Sequence, residues 1–290
     1  MAKTHPVSIS NETHGLAGDL ILPEEASPEQ KVNAAVIIGG PGPLPLTRYE
    51  GREPNWPVQW AHALAKAGLG ALTYDQRGGG LSSGEYHEAD WEALYDDAKA
   101  VQEMLAVQQE VGKVAGIAWG DGTQFALQLA AEGRLTALVL LAPAFHPTEE
   151  RYLHDLRELA ARKGLSERVV QIRHGQWKQE MMGLLAKVQA GEHYTVTEVG
   201  GKQITSNLVR FLQHTAYNPG AVAGQVKVPV LILHGEADAA VAPRESAALA
   251  AALGGPVTRI TYPGQGHFLY RHGQAMQDAA AWLTETLAVH

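Results

Sequence analysis

Short apolar runs alternate with longer amphipathic segments along most of this chain of 290 residues, and this alternation constrains its fold most strongly. The runs AAVIIGG and PVLILHG are almost continuously apolar, as expected of strands that are buried on both faces of a sheet. Strands that alternate with amphipathic helices are typical of a mostly parallel sheet flanked by helices. The sequence therefore predicts an α/β fold. We predict strands at Leu16–Leu22, Ala34–Ile38, Gly70–Tyr74, Lys113–Ala118, Ala137–Leu141, Val228–Leu233 and Val257–Thr261, and helices at Pro57–Ala67, Asp90–Gln109, Gly122–Glu132, Pro243–Leu253 and Gln274–Ala288.

The alternation stops between about Ala144 and Gly224 and resumes at Val228. Inside this span, TEERYLHDLRELAARKG, WKQEMMGLLAKVQAG and SNLVRFLQHT have helical periodicity, and HYTVTEVGGKQIT has the pattern of a hairpin. We therefore predict a main domain at residues 1–143 and 225–290, with an inserted helix-and-hairpin lid at residues 144–224.

Composition and charge narrow the function classes. The net charge of −8 argues against nucleic-acid and anionic-membrane partners. There is no cysteine, which rules out thiolate catalysis and cysteine-based metal sites. The first residues, MAKTHPVSISNETHG, lack the apolar core of a signal peptide, and no apolar run approaches the ~20 residues of a membrane span. We expect a soluble cytoplasmic protein.

Glycine-rich stretches are candidate nucleotide-binding loops, and histidines are candidate metal ligands. GGPGP and RGGGLSSG lack the lysine of a phosphate-binding P-loop and the spacing of a dinucleotide-binding loop. No set of His, Asp and Glu has metal-ligand spacing. We predict no cofactor and no metal.

Three regions follow predicted strands at their carboxyl ends, where open α/β sheets carry their sites. The first is GGPGP, at residues 39–43, and the second is GIAWGDG, at residues 116–122, with Ala118 at the predicted tip of a turn between strand and helix. The third is a pair of loops, with Asp238 in HGEADAAVAP and His267 in YPGQGHFLY. Glu236 is the only other carboxylate in its loop and is the fallback to Asp238.

These motifs resemble the α/β-hydrolase fold superfamily over nearly the whole chain. The nucleophile turn of that superfamily, G-x-S-x-G, is similar to Gly116–Gly120 with Ala118 in place of serine. The order of nucleophile, acid and histidine corresponds to Ala118, Asp238 and His267. YDQRGGGLSSG, at residues 74–84, is similar to the loop after the preceding strand.

The resemblance implies a serine hydrolase in which His267 takes the proton of the nucleophile and Asp238 orients His267. One donor to the oxyanion would be the backbone N–H of Trp119, which directly follows the nucleophile position. The second would be Gly40 or Gly42, because Pro41 has no N–H. The HGGPG loop of proline iminopeptidases favours Gly40, and the HGSGP loop of some bacterial esterases favours Gly42.

Trp177, Met181 and Leu184 recur at helical spacing in the predicted lid. Such a stripe either packs into a core or lines a substrate pocket, and amphipathic spacing does not distinguish the two.

The function implied by the resemblance is that of a carboxylesterase, including the feruloyl type, that works through an acyl-enzyme. A proline-iminopeptidase-like aminopeptidase and a non-catalytic binding protein on a hydrolase fold are the alternatives. Since Asp238 and His267 are intact, we interpret Ala118 as a replaced serine rather than as a natural loss, and predict a nearly inactive chain. The expected partner is a small ester or a short peptide, with a homodimer left open.

Overall fold

A computed structural model of the protein describes residues 2–11, 14–40 and 55–288. Within them, the strands are β1 Ala2–Asn11, β2 His14–Pro23, β3 Val32–Ile38, β4 Gly70–Tyr74, β5 Val111–Trp119, β6 Leu138–Leu141, β7 Tyr194–Val199, β8 Lys202–Asn207, β9 Val230–Gly235 and β10 Val257–Tyr262. The helices are α1 Trp56–Lys66, α2 Trp91–Ala106, α3 Gly122–Ala131, α4 Thr148–Lys163, α5 Glu167–Gln189, α6 Leu208–Ala216, α7 Pro219–Ala223, α8 Pro243–Ala252 and α9 Gly273–Ala288.

One sheet of eight strands organises the larger part of the described chain. Its strand order is β1-β2-β4-β3-β5-β6-β9-β10. In this order, every neighbouring pair from β4 through to β10 is parallel. At the other edge, β1 and β2 form an antiparallel hairpin, and β2 is antiparallel to β4. The carboxyl ends of β3, β5, β6 and β9 therefore lie along the same edge of the sheet.

The central strands of the sheet are apolar because their side chains are buried. Every residue of β4, β6 and β9 is buried, as is nearly all of β3, because helices cover both faces of a parallel sheet. Trp60, Leu64 and Leu283 extend this core from α1 and α9 to the sheet. The predicted α/β class is confirmed, and each predicted strand and helix of the main domain is present with ends shifted by a few residues.

The strand β1 was not predicted from the sequence. It lies at the edge of the sheet and pairs only with β2 among the described strands. Its segment, AKTHPVSISN, is mostly polar, and the side chains are largely exposed or half-buried. An edge strand buries too little apolar surface to leave a strong hydrophobic pattern.

The described chain divides into two compact units. The sheet unit comprises residues 1–86, 95–145 and 219–290, and the helical unit comprises residues 87–94 and 146–218. The helical unit contains α4, α5, α6 and the β7–β8 hairpin. It also includes residues 87–94, where Asn207 donates to the carbonyl oxygen of His87 and Arg210 to that of Ala89. That the helical unit acts as a lid stays a prediction.

No helix in the part of the chain that the structure describes has both the length and the apolar character needed to cross a membrane.

Candidate active site

The turn after β5 is built on small residues spaced two apart. Gly120 lies at its tip with φ of +63°, a left-handed conformation that glycine adopts without steric cost. The carbonyl oxygen of Gly120 accepts from the N–H of Thr123 at 3.0 Å and from its hydroxyl at 2.7 Å. These bonds close the turn, and α3 begins at Gly122.

Gly122 brings this turn against the end of β3. A Cβ at residue 122 would lie 2.5 Å from the carbonyl oxygen of Gly39 and 2.6 Å from that of Ile38. Only glycine fits that approach. The start of α3 therefore lies directly beside the loop that begins at Gly39.

Ala118 lies inside β5 rather than at the tip of the turn. It pairs with Ile38 of β3 and Leu140 of β6, and its exposed fraction is 0%. The prediction that Ala118 occupies the tip was wrong: the tip is Gly120, two residues later. The turn therefore has the G-x-S-x-G spacing two residues later than predicted. Gly120 is at the tip, and the small residues Ala118 and Gly122 lie two positions before and after it.

The shifted tip also changes the predicted donors to an oxyanion. Trp119 precedes the tip and pairs with Leu141 as the last residue of β5, so it is not the residue after a nucleophile. Asp121 takes that place. Gly40 lies in the neighbouring loop, where a Cβ would meet the indole ring of Trp119 at 2.6 Å. Gly42, the other candidate donor, lies outside the described residues.

Asp238 and His267 are brought together as predicted. Nδ1 of His267 lies 2.8 Å from Oδ2 of Asp238. The two loops are fastened by backbone hydrogen bonds, from Glu236 N–H to Tyr262 O at 3.0 Å and from Ala237 N–H to Gln265 O at 2.8 Å. Because the Asp238 carboxylate accepts a hydrogen bond from Nδ1 of His267, Nδ1 carries the hydrogen of the neutral imidazole. Nε2 is then left as the basic nitrogen.

The Asp238 carboxylate is fully buried, with a side-chain exposed fraction of 0%. Its Oδ1 accepts from the backbone N–H groups of Ala240 at 2.8 Å and Val241 at 2.9 Å. Burial alone would raise the pKa of Asp238, but hydrogen bonds from His234, His267 and Val241 outweigh it and hold that pKa well below its usual range. Asp238 is therefore an anion that can stabilise a protonated His267.

Glu236, the fallback acid, is not in this arrangement. It is exposed, and its carboxylate accepts from the hydroxyl of Thr261 at 2.8 Å. Asp238 is the carboxylate that holds His267.

His267 lies next to the turn. Its side chain is 20% exposed, and the imidazole centroid is 5.5 Å from that of the Trp119 indole. The indole N–H of Trp119 donates to the carbonyl oxygen of His267 at 3.3 Å. Tyr270 and Trp56 pack on the same indole, with ring centroids at 4.5 and 6.4 Å. The imidazole of His267 thus packs near Trp119, the residue before Gly120, and Gly120 carries no side chain.

The three predicted pocket residues lie on one face of α5 in the helical unit. Trp177, Met181 and Leu184 are all half-buried. Trp177 stacks on Tyr152 of α4, with centroids 5.5 Å apart and planes at 25°. That they line a substrate pocket stays a prediction.

Residues 2–11, 14–40 and 55–288 contain no cluster of three or more His, Asp or Glu side chains that could hold a metal ion. The prediction that the reaction needs no metal is not tested by this.

Solved structures with low sequence identity share the fold. Est1E from Butyrivibrio proteoclasticus, in a structure with ferulic acid bound, is 17% identical, with a TM-score of 0.68 over 97% of this chain and 99% of that chain. A hypothetical protein from Pseudomonas aeruginosa is 18% identical, with a TM-score of 0.69 over 98% and 94% of the two chains. The esterase domain of a Rhodothermus marinus protein is 17% identical, with a TM-score of 0.61 over 99% and 100%. The fold is therefore the α/β-hydrolase fold.

No curated protein matches the sequence. The family described as serine aminopeptidase, S33 (Hydrolase_4), matches residues 55–272, which include the turn at Gly120, Asp238 and His267. The chain belongs to this family of hydrolases.

Proposed function

We propose that the chain acts on a carboxylic ester by general-base catalysis, without forming an acyl-enzyme. The observation that carries the proposal is the 2.8 Å hydrogen bond between His267 and Asp238 beside a turn whose tip, Gly120, has no side chain. In this proposal His267 acts as the base and Asp238 orients it. Gly120, at the tip, has no side chain that could form a covalent bond with the acyl group.

The reaction would use water as the nucleophile. Nε2 of His267 takes a proton from water as the water oxygen attacks the ester carbonyl, and Asp238 stabilises the imidazolium that forms. The backbone N–H groups of Asp121 and Gly40 would stabilise the oxyanion. Collapse of the tetrahedral intermediate breaks the ester bond, and the imidazolium returns the proton to the departing alkoxide.

This proposal replaces the interpretation of Ala118 as a substituted serine. Ala118 is buried within β5, so a serine there would not lie at the tip of the turn. The tip is Gly120, and its positive φ is a conformation that glycine accommodates and serine does not without strain. The chain is therefore expected to be nearly inactive in acyl transfer through a covalent intermediate.

An aminopeptidase is the second candidate, favoured by the family's description. Recognition of a free amino terminus requires an available carboxylate. In the helical unit, Glu149 already accepts from Lys178 and His174, each at 2.9 Å. The hydrogen bond from Lys178, followed by that from His174, outweighs partial burial and holds the pKa of Glu149 below its usual value. Glu149 is thus already paired, and it is one of four carboxylates of the helical unit that could receive an amino terminus, with Glu150, Glu158 and Glu180.

The test compares the native chain with His267→Ala and Asp238→Asn on a panel of activated esters and amino-terminal proline amides. We expect ester hydrolysis with no acyl adduct in the intact-protein mass, falling by about 10²-fold or more in His267→Ala. Faster release from the proline amides would favour the aminopeptidase. An acyl adduct on the native chain, or equal rates with and without the His267 imidazole, would contradict the proposal, and the second result would favour a binding protein.

A further inference from the structure

His234 is a second imidazole that contacts the carboxylate of Asp238, and it is fully buried. It is the penultimate residue of β9, and its exposed fraction is 0%. Its Nε2 lies 2.9 Å from the carbonyl oxygen of Val241 and 3.3 Å from Oδ2 of Asp238. From sequence position alone we would give His234 a structural role at the end of its strand.

The surroundings of His234 determine where its proton lies. Nε2 faces two acceptors, the Val241 carbonyl oxygen and the Asp238 carboxylate, so Nε2 carries hydrogen. Nδ1 is buried and has no hydrogen-bond partner among the described residues. A proton on Nδ1 would be a buried donor without an acceptor among the described residues, which is unfavourable. His234 is therefore the neutral tautomer with hydrogen on Nε2.

The same oxygen of Asp238 thus faces two imidazoles. Oδ2 receives Nδ1–H of His267 at 2.8 Å and lies 3.3 Å from Nε2–H of His234, while Oδ1 receives two backbone N–H groups. Donors on both oxygens prevent the carboxylate from rotating about its Cβ–Cγ bond. We propose that His234 is a positioning residue, which holds the Asp238 carboxylate in the orientation and in the ionised state that His267 requires.

His234 also fixes the loop that carries Asp238. His234 contacts the carbonyl oxygen of Val241, and the N–H of the same Val241 donates to Oδ1 of Asp238. One imidazole therefore holds the loop backbone and faces the carboxylate at once. The proposal rests on the geometry of Asp238 and His267 and holds whether or not the chain hydrolyses esters.

Two variants separate the donor from the bulk of the side chain. His234→Gln places an amide N–H near the position of Nε2 and gives up only Nδ1, which has no partner among the described residues. His234→Met keeps apolar volume and removes the donor. Because a hydrogen bond to a charged group contributes about 1.5–3 kcal/mol, we expect His234→Met to raise the pKa of Asp238 by about one to two units. His234→Gln should stay close to the native value.

The readout is the ¹³C chemical shift of the Asp238 carboxyl followed by NMR against pH, without any substrate. In the native chain this shift should stay that of a carboxylate down to about pH 3. In His234→Met the midpoint should move upward, with the downfield Nδ1–H resonance of His267 weakened. Equal titration in the Met and native chains, or equal titration in the Gln and Met variants, would overturn the proposal.

A measurement on the native chain keeps the proposal testable if the Met variant does not fold. At about neutral pH, the ¹⁵N shifts of His234 should be those of an imidazole with hydrogen on Nε2 and none on Nδ1. A hydrogen on Nδ1 in place of Nε2 would contradict the assignment.

Discussion

The indole N–H of Trp119 donates to the backbone carbonyl oxygen of His267, at 3.3 Å, and so connects the turn after β5 to the loop that carries His267. The same indole fills the space against Gly40, at the start of the neighbouring loop. One side chain therefore lies against both the loop that carries His267 and the backbone at Gly40.

Trp119→Phe is expected to lower the free energy of unfolding by about 1 kcal/mol, because it removes this donor and keeps an aromatic ring against Tyr270. It should also lower the hydrolytic rate that depends on His267. Trp60→Phe is the matched control, since the indole of Trp60 donates to the Tyr270 carbonyl oxygen at 2.8 Å. Urea denaturation and initial rates are the measurements. Equal effects of the two variants on the rate would contradict a specific role for Trp119.

Gly122→Ala is expected to destabilise the chain by about 1–3 kcal/mol, since its Cβ would lie 2.5 Å from the Gly39 carbonyl oxygen and force backbone to move. Gly273→Ala is the control: it begins α9, and nothing lies within 4 Å of its added Cβ. Urea denaturation at equilibrium should show a loss for the first variant and no loss for the second. If Gly122→Ala were as stable as the control, the close contact between α3 and β3 would be wrong.

Asp238 predicts a pH dependence of stability. Its pKa is lower in the folded chain than in the unfolded chain, where it is about 3.9. The stabilisation is therefore fully present above about pH 5 and is lost progressively as the pH falls toward the folded pKa. The stability difference between the native chain and Asp238→Asn should be largest near neutral pH and should shrink below about pH 5. A difference that grew on acidification would contradict the sign.

Most of the fold follows from hydrophobic pattern, because β3, β4, β6 and β9 are continuous apolar runs that bury on both faces. Asp238 and His267 could be predicted from the sequence for a related reason. Each lies in a loop at the carboxyl end of a strand, where the topology of a parallel sheet brings side chains together. Their contact at 2.8 Å follows from that topology.

The position of the tip was missed because small residues recur at every second position of the motif. Gly116–Gly120 and Ala118–Gly122 both begin and end with a small residue and have a small residue at the centre, so two frames fit the motif. Only the backbone distinguishes them, through the positive φ of Gly120 and the tight fit of Gly122. The apolar run before the turn continues to Trp119, the last residue of β5. The length of this run was the one signal in the sequence that would have placed the tip at Gly120.

The central claim is that the nucleophile position is Gly120, and intact-protein mass spectrometry after exposure to an activated ester tests it. Gly120→Ser is expected to gain one acyl group, to lose it slowly, and to fail to gain it when His267 is also Ala. The strain of a side chain at positive φ should cost about 1–2 kcal/mol of stability. Ala118→Ser, buried in β5, should gain no acyl group. Acylation of Ala118→Ser without acylation of Gly120→Ser would contradict the account.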